Sequence, residues 1–113
     1  MKKLSKPVRS LLLGLTLILI GSIAASLLQT DFHKVRLKDF TIGTLDQQTM
    51  HALAFIPKSC SKENPCPAVV TSHGWLNSAE VQDAASIELS RRGIVVIAMD
   101  AYSHGMSSNV KQA

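Results

Sequence analysis

Residues 67–108 read PAVVTSHGWLNSAEVQDAASIELSRRGIVVIAMDAYSHGMSS, and this stretch decides the fold. Pro67-Ala68-Val69-Val70-Thr71-Ser72 is a short apolar run of the kind that forms a strand buried on both faces of a sheet. It stops at His73-Gly74-Trp75. Asn77 then reads as a helix N-cap with Glu80 three residues on, close to a capping box. Val81, Ala84, Ala85, Ile87 and Leu89 make a rough helical stripe. Arg91 and Arg92 fall in the last turn, where cations suit the helix dipole, and Gly93 is a ready residue to close it. Ile94 to Met99 is a second apolar strand. A strand–loop–helix–strand unit from Ala68 to Asp100 has the size of a right-handed βαβ crossover with parallel strands. The class is therefore α/β. Two buried parallel strands need further partners at their edges and helices on their faces, which the residues up to Ala113 do not supply. The expectation is an incomplete sheet.

Upstream, Val35 and Leu37 alternate, then Phe40 and Ile42 alternate on a shifted register, which predicts a strand with a bulge near Lys38-Asp39. Gly43-Thr44-Leu45-Asp46 supplies a turn, and Thr49 to Ile56 a hairpin partner ended by Pro57, with His51, Leu53 and Phe55 on one side. Cys60 and Cys66 bracket a polar loop. In an oxidising compartment they can bond and staple it; two unpaired cysteines are the alternative. Two thiols make half a metal site and no histidine lies beside them, so no metal is expected. His33 and His51 read as surface residues on strands, and Met50, Met99 and Met106 as packing residues.

The net charge of +4 belongs to the N-terminal flank. Of 12 Lys and Arg, Lys2, Lys3, Lys6 and Arg9 precede the first acid, and the remainder equal the 8 Asp and Glu. The body is neutral, and Lys34, Arg36 and Lys38, like Arg91 and Arg92, read as solvated faces. This excludes a nucleic-acid footprint. From Ser10 to Thr30 there is no charged residue, and Leu11 to Leu28 is almost wholly apolar, long enough to span a bilayer as a helix. The preceding cations favour a cytoplasmic N-terminus. The expected organisation is a basic flank (1–9), a signal-anchor span in the lipid bilayer (10–30) and an extracytoplasmic α/β body (31–113). A signal peptide cleaved near Ser22-Ile23-Ala24 and a buried soluble helix are the alternatives.

Ligands of open α/β sheets bind beyond the carboxyl ends of the strands. Two segments lie there: Ser72-His73-Gly74-Trp75-Leu76-Asn77, and Asp100-Ala101-Tyr102-Ser103-His104-Gly105-Met106-Ser107-Ser108. A His-Gly step bends the chain sharply and can leave backbone N–H groups pointing into a cleft, where they stabilise a developing oxyanion. Neither G-x-G-x-x-G nor G-x-x-x-x-G-K occurs, so a phosphate loop is excluded and no cofactor is implied. Together the strand ending in Ser72-His73-Gly74-Trp75 and the Asp-x-x-x-His-Gly-x-Ser run from Asp100 to Ser107 resemble the third strand, first helix and fourth strand of the α/β-hydrolase family, in its esterase or dienelactone-hydrolase-like branches. His33 to Pro57 resembles the antiparallel strands that open that fold.

The resemblance implies a backbone oxyanion donor at Trp75 or its neighbour Gly74. It makes His73, Asp100, His104 and Gly105 loop-structuring residues instead of acid–base catalysts. Trp75 reads equally as a pocket wall or a core filler. No G-x-S-x-G elbow exists in the 113 residues, so nucleophile, acid and base histidine are all absent and this chain alone is expected to be inactive. The implied full-length activity is hydrolysis of a small ester or related acyl substrate. The competing expectations are a non-catalytic membrane module that docks a partner through its open sheet edge and a degraded gene product.

Overall fold

A computed structural model describes residues 4–45 and 47–109. Lys2, Lys3, Asp46 and residues 110–113 lie outside them. Helix α1 (Lys6–Gln29) is followed by strands β1 (Val35–Gly43), β2 (Thr49–Pro57) and β3 (Ala68–Ser72). A 3₁₀ turn (Ala79–Gln82) then leads into helix α2 (Asp83–Arg91) and strand β4 (Val95–Met99).

At about 1.5 Å per residue, the 24 residues of α1 exceed the ~30 Å of a bilayer core. The helix is long and apolar enough to cross a membrane, and none of its residues is buried by the other described residues. Pro7 stands in its first turn, where a missing N–H is harmless. The helix closes tightly: Asp31 N–H donates to Leu28 C=O, Phe32 N–H to Leu27 C=O and Val35 N–H to Thr30 C=O. Asp31, Phe32 and His33 adopt left-handed φ of 44°, 53° and 65°. Two side-chain contacts tie this exit to α2. Gln29 Nε2 donates to Asp83 Oδ2 at 3.0 Å, and Asp31 pairs with Arg91 at 3.3 Å.

The sheet has the order β1-β2-β4-β3. β1 and β2 form an antiparallel hairpin, β2 runs antiparallel to β4, and β3 is parallel to β4. The βαβ crossover and hairpin are thus those the sequence implies. The bulge is not found: every residue from Val35 to Gly43 pairs in register with Pro57 to Thr49. The apolar alternation breaks because Asp39, opposite Leu53, takes a position on the helix-covered face. Phe40 and Ile42 fall on the other face without any slip.

Val35, Leu53, Phe55, Val96 and Ala98 form the core with Ala79, and Ile87 and Leu89 of α2 pack against it. Ser86 and Ser90 of α2 are also buried, and their small side chains let the helix lie close to the strands. β4 is largely interior, whereas β3 is an outer strand, with Val70 60% exposed. The expected two-sided burial of β3 is not present among the described residues.

The capping box is absent too. Neither N-cap residue, Ser78 or Gln82, caps its turn through its own side chain, and Val81, the first residue of the expected stripe, is exposed. The Ala79 N–H, which a local cap would have used, is taken instead by Asp100. The other end of α2 follows expectation. Gly93, at φ 84°, donates to Ser90 C=O and Ile94 N–H to Leu89 C=O, a complete Schellman closure.

Cys60 and Cys66 are joined in a disulfide. The loop it closes is short, so it removes little freedom from the unfolded chain. Reduction, or a Cys60→Ser/Cys66→Ser pair, is expected to lower unfolding stability by about 2 kcal/mol without loss of the sheet. Urea titrations of the full chain in detergent, followed by circular dichroism with and without reductant, measure this.

Candidate functional site

The turn after β3 and the loop after β4 meet at the carboxyl ends of these parallel strands. Asp100, the residue after β4, is fully buried and organises the meeting. Its Oδ1 accepts the Ala79 N–H at 2.6 Å, and its Oδ2 accepts the Met106 N–H at 3.0 Å and the His51 ring Nδ1–H at 2.6 Å. Burial opposes the charge on Asp100. The backbone donors Met106 and Ala79, with His51, outweigh it and hold the carboxyl below its ordinary pKa.

His51 is the residue that the sequence reading misplaced. It is 2% exposed, not at the surface, and lies between two carboxylates: Asp100, and Asp39 at 2.7 Å from Nε2. Both ring nitrogens face carboxylate oxygens, an arrangement that favours the doubly protonated imidazolium. Burial works against that charge, but hydrogen bonds to Asp100 and Asp39, and their charges, raise the His51 pKa above its ordinary value. Asp39 is 59% exposed and brings solvent contact to one end of the chain of charges.

Two further histidines hold the loops together, each in a neutral form set by its partners. His73 Nε2 accepts the Ala101 N–H at 3.0 Å, while its Nδ1–H donates to Gly74 C=O at 2.8 Å. His104 Nε2 accepts the Leu76 N–H at 3.2 Å, while its Nδ1–H donates to Tyr102 C=O at 2.9 Å. A backbone N–H can only donate and a carbonyl can only accept, so each tautomer is determined. Each histidine thus joins the turn after β3 to the loop after β4. Their rings lie 5.1 Å apart, and the Trp75 ring meets His104 edge-on at 5.7 Å.

Trp75 is 82% exposed among the described residues. Leu76, next in sequence, and Met106, in the loop after β4, are also exposed, so the packing role expected of Met106 is not seen among the described residues. Leu76 and Ser103 have left-handed φ of 59° and 63°, so backbone strain is stored in both segments.

Gly105 is required by space as well as by its φ of 50°. A Cβ there would fall on the Asp100 carboxyl group. Ser107 completes the frame: its hydroxyl donates to Asp100 C=O at 2.7 Å and accepts the His51 N–H at 2.8 Å. Among the described residues no group of His, Cys, Asp and Glu is arranged to hold a metal.

Comparison with known proteins gives the fold. A thioesterase domain from the curacin biosynthetic pathway superposes with a TM-score of 0.56 at 21% identity, over 67% of this chain and 24% of its own. Acetyl xylan esterase 1 from a Thermoanaerobacterium species gives 0.59 at 23% identity, over 68% of this chain and 23% of its own. A Pyrococcus furiosus esterase gives 0.56 at 20% identity, over 74% of this chain and 32% of its own. These are α/β-hydrolase structures, and the chain has that fold over the part matched, spanning about a quarter to a third of their length. No protein-family model and no curated protein matches the sequence.

Two outcomes follow from this geometry. Gly105→Ala is expected to lower stability by about 3 kcal/mol, through displacement of the buried carboxylate and an unfavourable φ. For pH, the His51 contribution is complete below the ordinary imidazole pKa and is lost as pH rises through its elevated folded value. The Asp100 contribution is complete above the ordinary carboxylate pKa and is lost as pH falls through its depressed folded value. Stability therefore peaks between the two ranges. In His51→Gln the alkaline decline flattens and stability near neutrality drops by about 3 kcal/mol. Denaturant midpoints across the pH range check both limbs.

Proposed function

We propose that this chain forms the membrane-anchored N-terminal part of a serine hydrolase that acts on carboxylic ester or related acyl substrates outside the cytoplasm. The observation that carries the reading is the cross-bonding of the turn after β3 and the loop after β4 at the carboxyl ends of these strands in an α/β-hydrolase fold. In this reading the backbone N–H of Trp75, with Gly74 shaping its approach, is an oxyanion donor. The Leu76 N–H is engaged by His104, which leaves the preceding amide as the better candidate. His73, Asp100, His104 and Gly105 hold the donor in place. Nucleophile, acid and base come from sequence outside these residues and complete the acyl-transfer machinery.

The location follows from charge and redox chemistry. Helix α1 anchors the body to the lipid bilayer, with the basic flank in the cytoplasm and residues from Asp31 onward outside. A disulfide at Cys60–Cys66 agrees with an oxidising compartment. No cofactor and no nucleic acid take part.

The exposed edge of β3, marked by Val70, favours one alternative: a non-catalytic module that docks a partner by strand addition. The two readings separate on expression of the natural coding region together with the sequence downstream of codon 113. For the hydrolase, membranes are expected to contain a protein that reacts with an antibody against residues 31–109, labels with a fluorophosphonate and cleaves p-nitrophenyl acetate. Trp75→Pro, which removes the N–H, is expected to lower kcat by about 10²-fold or more, while Trp75→Phe does not. An antibody-reactive protein that never takes the probe, recovered with a partner on its β3 edge, would sink the enzyme reading.

A further inference from the structure

The cations at the start of the body have no part in the bonding at the ends of β3 and β4. Lys34, Arg36 and Lys38 follow directly on the exit from α1. Lys58 is brought beside them because its N–H donates to Lys34 C=O at 2.9 Å. Arg36, Lys38 and Lys58 line a groove of about 670 Å³, with Thr30 at one end and Val35 and Ile56 among its walls. Thr30 is also the C-cap of α1, so the groove begins where the apolar helix ends.

The charge there is uncompensated. No acid lines the groove, and among the described residues none of Lys34, Arg36, Lys38 and Lys58 forms an ion pair. The nearby acids are engaged elsewhere, Asp31 with Arg91 and Asp39 with His51. The exit is bonded turn by turn, so the cations are held at the depth where the helix leaves the hydrocarbon. A cationic, apolar-walled groove at that depth matches a phosphate headgroup with the upper part of its lipid.

Resting on the reading of α1 as a span, we infer that the groove of Arg36, Lys38 and Lys58 binds the headgroup of an anionic phospholipid in the leaflet facing the body. The lipid seats the outer edge of β1 against the membrane and thereby sets how the body stands on the bilayer. The competing use of such charges, blocking aggregation at an edge strand, needs no ligand.

The test uses the full chain reconstituted in phosphatidylcholine bilayers that carry trace spin-labelled phosphatidylglycerol or phosphatidylcholine. Paramagnetic resonance then reads the relative association of each lipid with the protein. The wild type is expected to prefer phosphatidylglycerol by about fivefold or more. Arg36→Gln/Lys38→Gln/Lys58→Gln is expected to bring the ratio close to one, with circular dichroism unchanged. A second variant replaces Lys2, Lys3, Lys6 and Arg9 by Gln, leaves the body untouched, and is expected to retain most of the preference.

Equal association of the two lipids with the wild type would overturn the inference. So would loss of the preference in the flank variant, or its persistence in a folded groove variant. Complete displacement of the lipid by millimolar inorganic phosphate would assign the groove to a soluble anion instead. Alkaline carbonate extraction distinguishes failure of the underlying reading: a chain released by carbonate has no span, whereas one that is retained without lipid preference has a span and no headgroup site.

Discussion

A single buried carboxylate sets the shape of the end of the sheet where β3 and β4 terminate. Asp100 has no exposure to water, and a charge in that position is tolerated only if protein groups replace its hydration. Three donors do so, from the 3₁₀ turn, from β2 and from the loop after β4. None of these segments can move without removing a bond from the charge. The 3₁₀ turn therefore starts where Asp100 places it and not where a local cap would. Gly105 follows from the same constraint, because the loop must pass over the carboxyl group with no side chain in between.

The balance of charge around Asp100 extends to the edge of the sheet. His51 faces Asp100 on one side and Asp39 on the other, and both carboxylates favour its charged form. Asp39 reaches solvent and Asp100 does not, so the His51 ring lies across a steep change in dielectric. The neutral histidines His73 and His104 do different work. Each accepts one amide and donates to one carbonyl, joining the two loops without adding charge near the exposed Trp75.

What could be read in the sequence was governed by distance along the chain. The apolar run Ile94–Met99, the closing Gly93 and the hairpin alternation are local patterns with local causes, and they lead to the α/β arrangement found. Asp39 and His51 were opaque because their meaning depends on Asp100, which is 49 residues beyond His51. Asn77 and Glu80 resembled a cap because the competing partner of Ala79 is 21 residues away. The His73 and His104 segments were recognisable as loops beyond strand ends. That each accepts an amide from the other segment is a property of their packing and leaves no spacing signature.

The strand order carries a consequence for how the chain is made. β4 is the last of the four strands to be synthesised, yet it lies between β2 and β3, which precede it. Until it arrives, both of those strands present an unpaired edge toward a vacant slot roughly two strand spacings, or about 10 Å, wide. The Cys60–Cys66 loop is the connection that spans this slot. As the chain is made, the hairpin and β3 wait in the open until β4 fills the centre. The interval between the emergence of Ser72 and that of Met99 is thus a window in which chaperones and mispairing compete for the same exposed backbone.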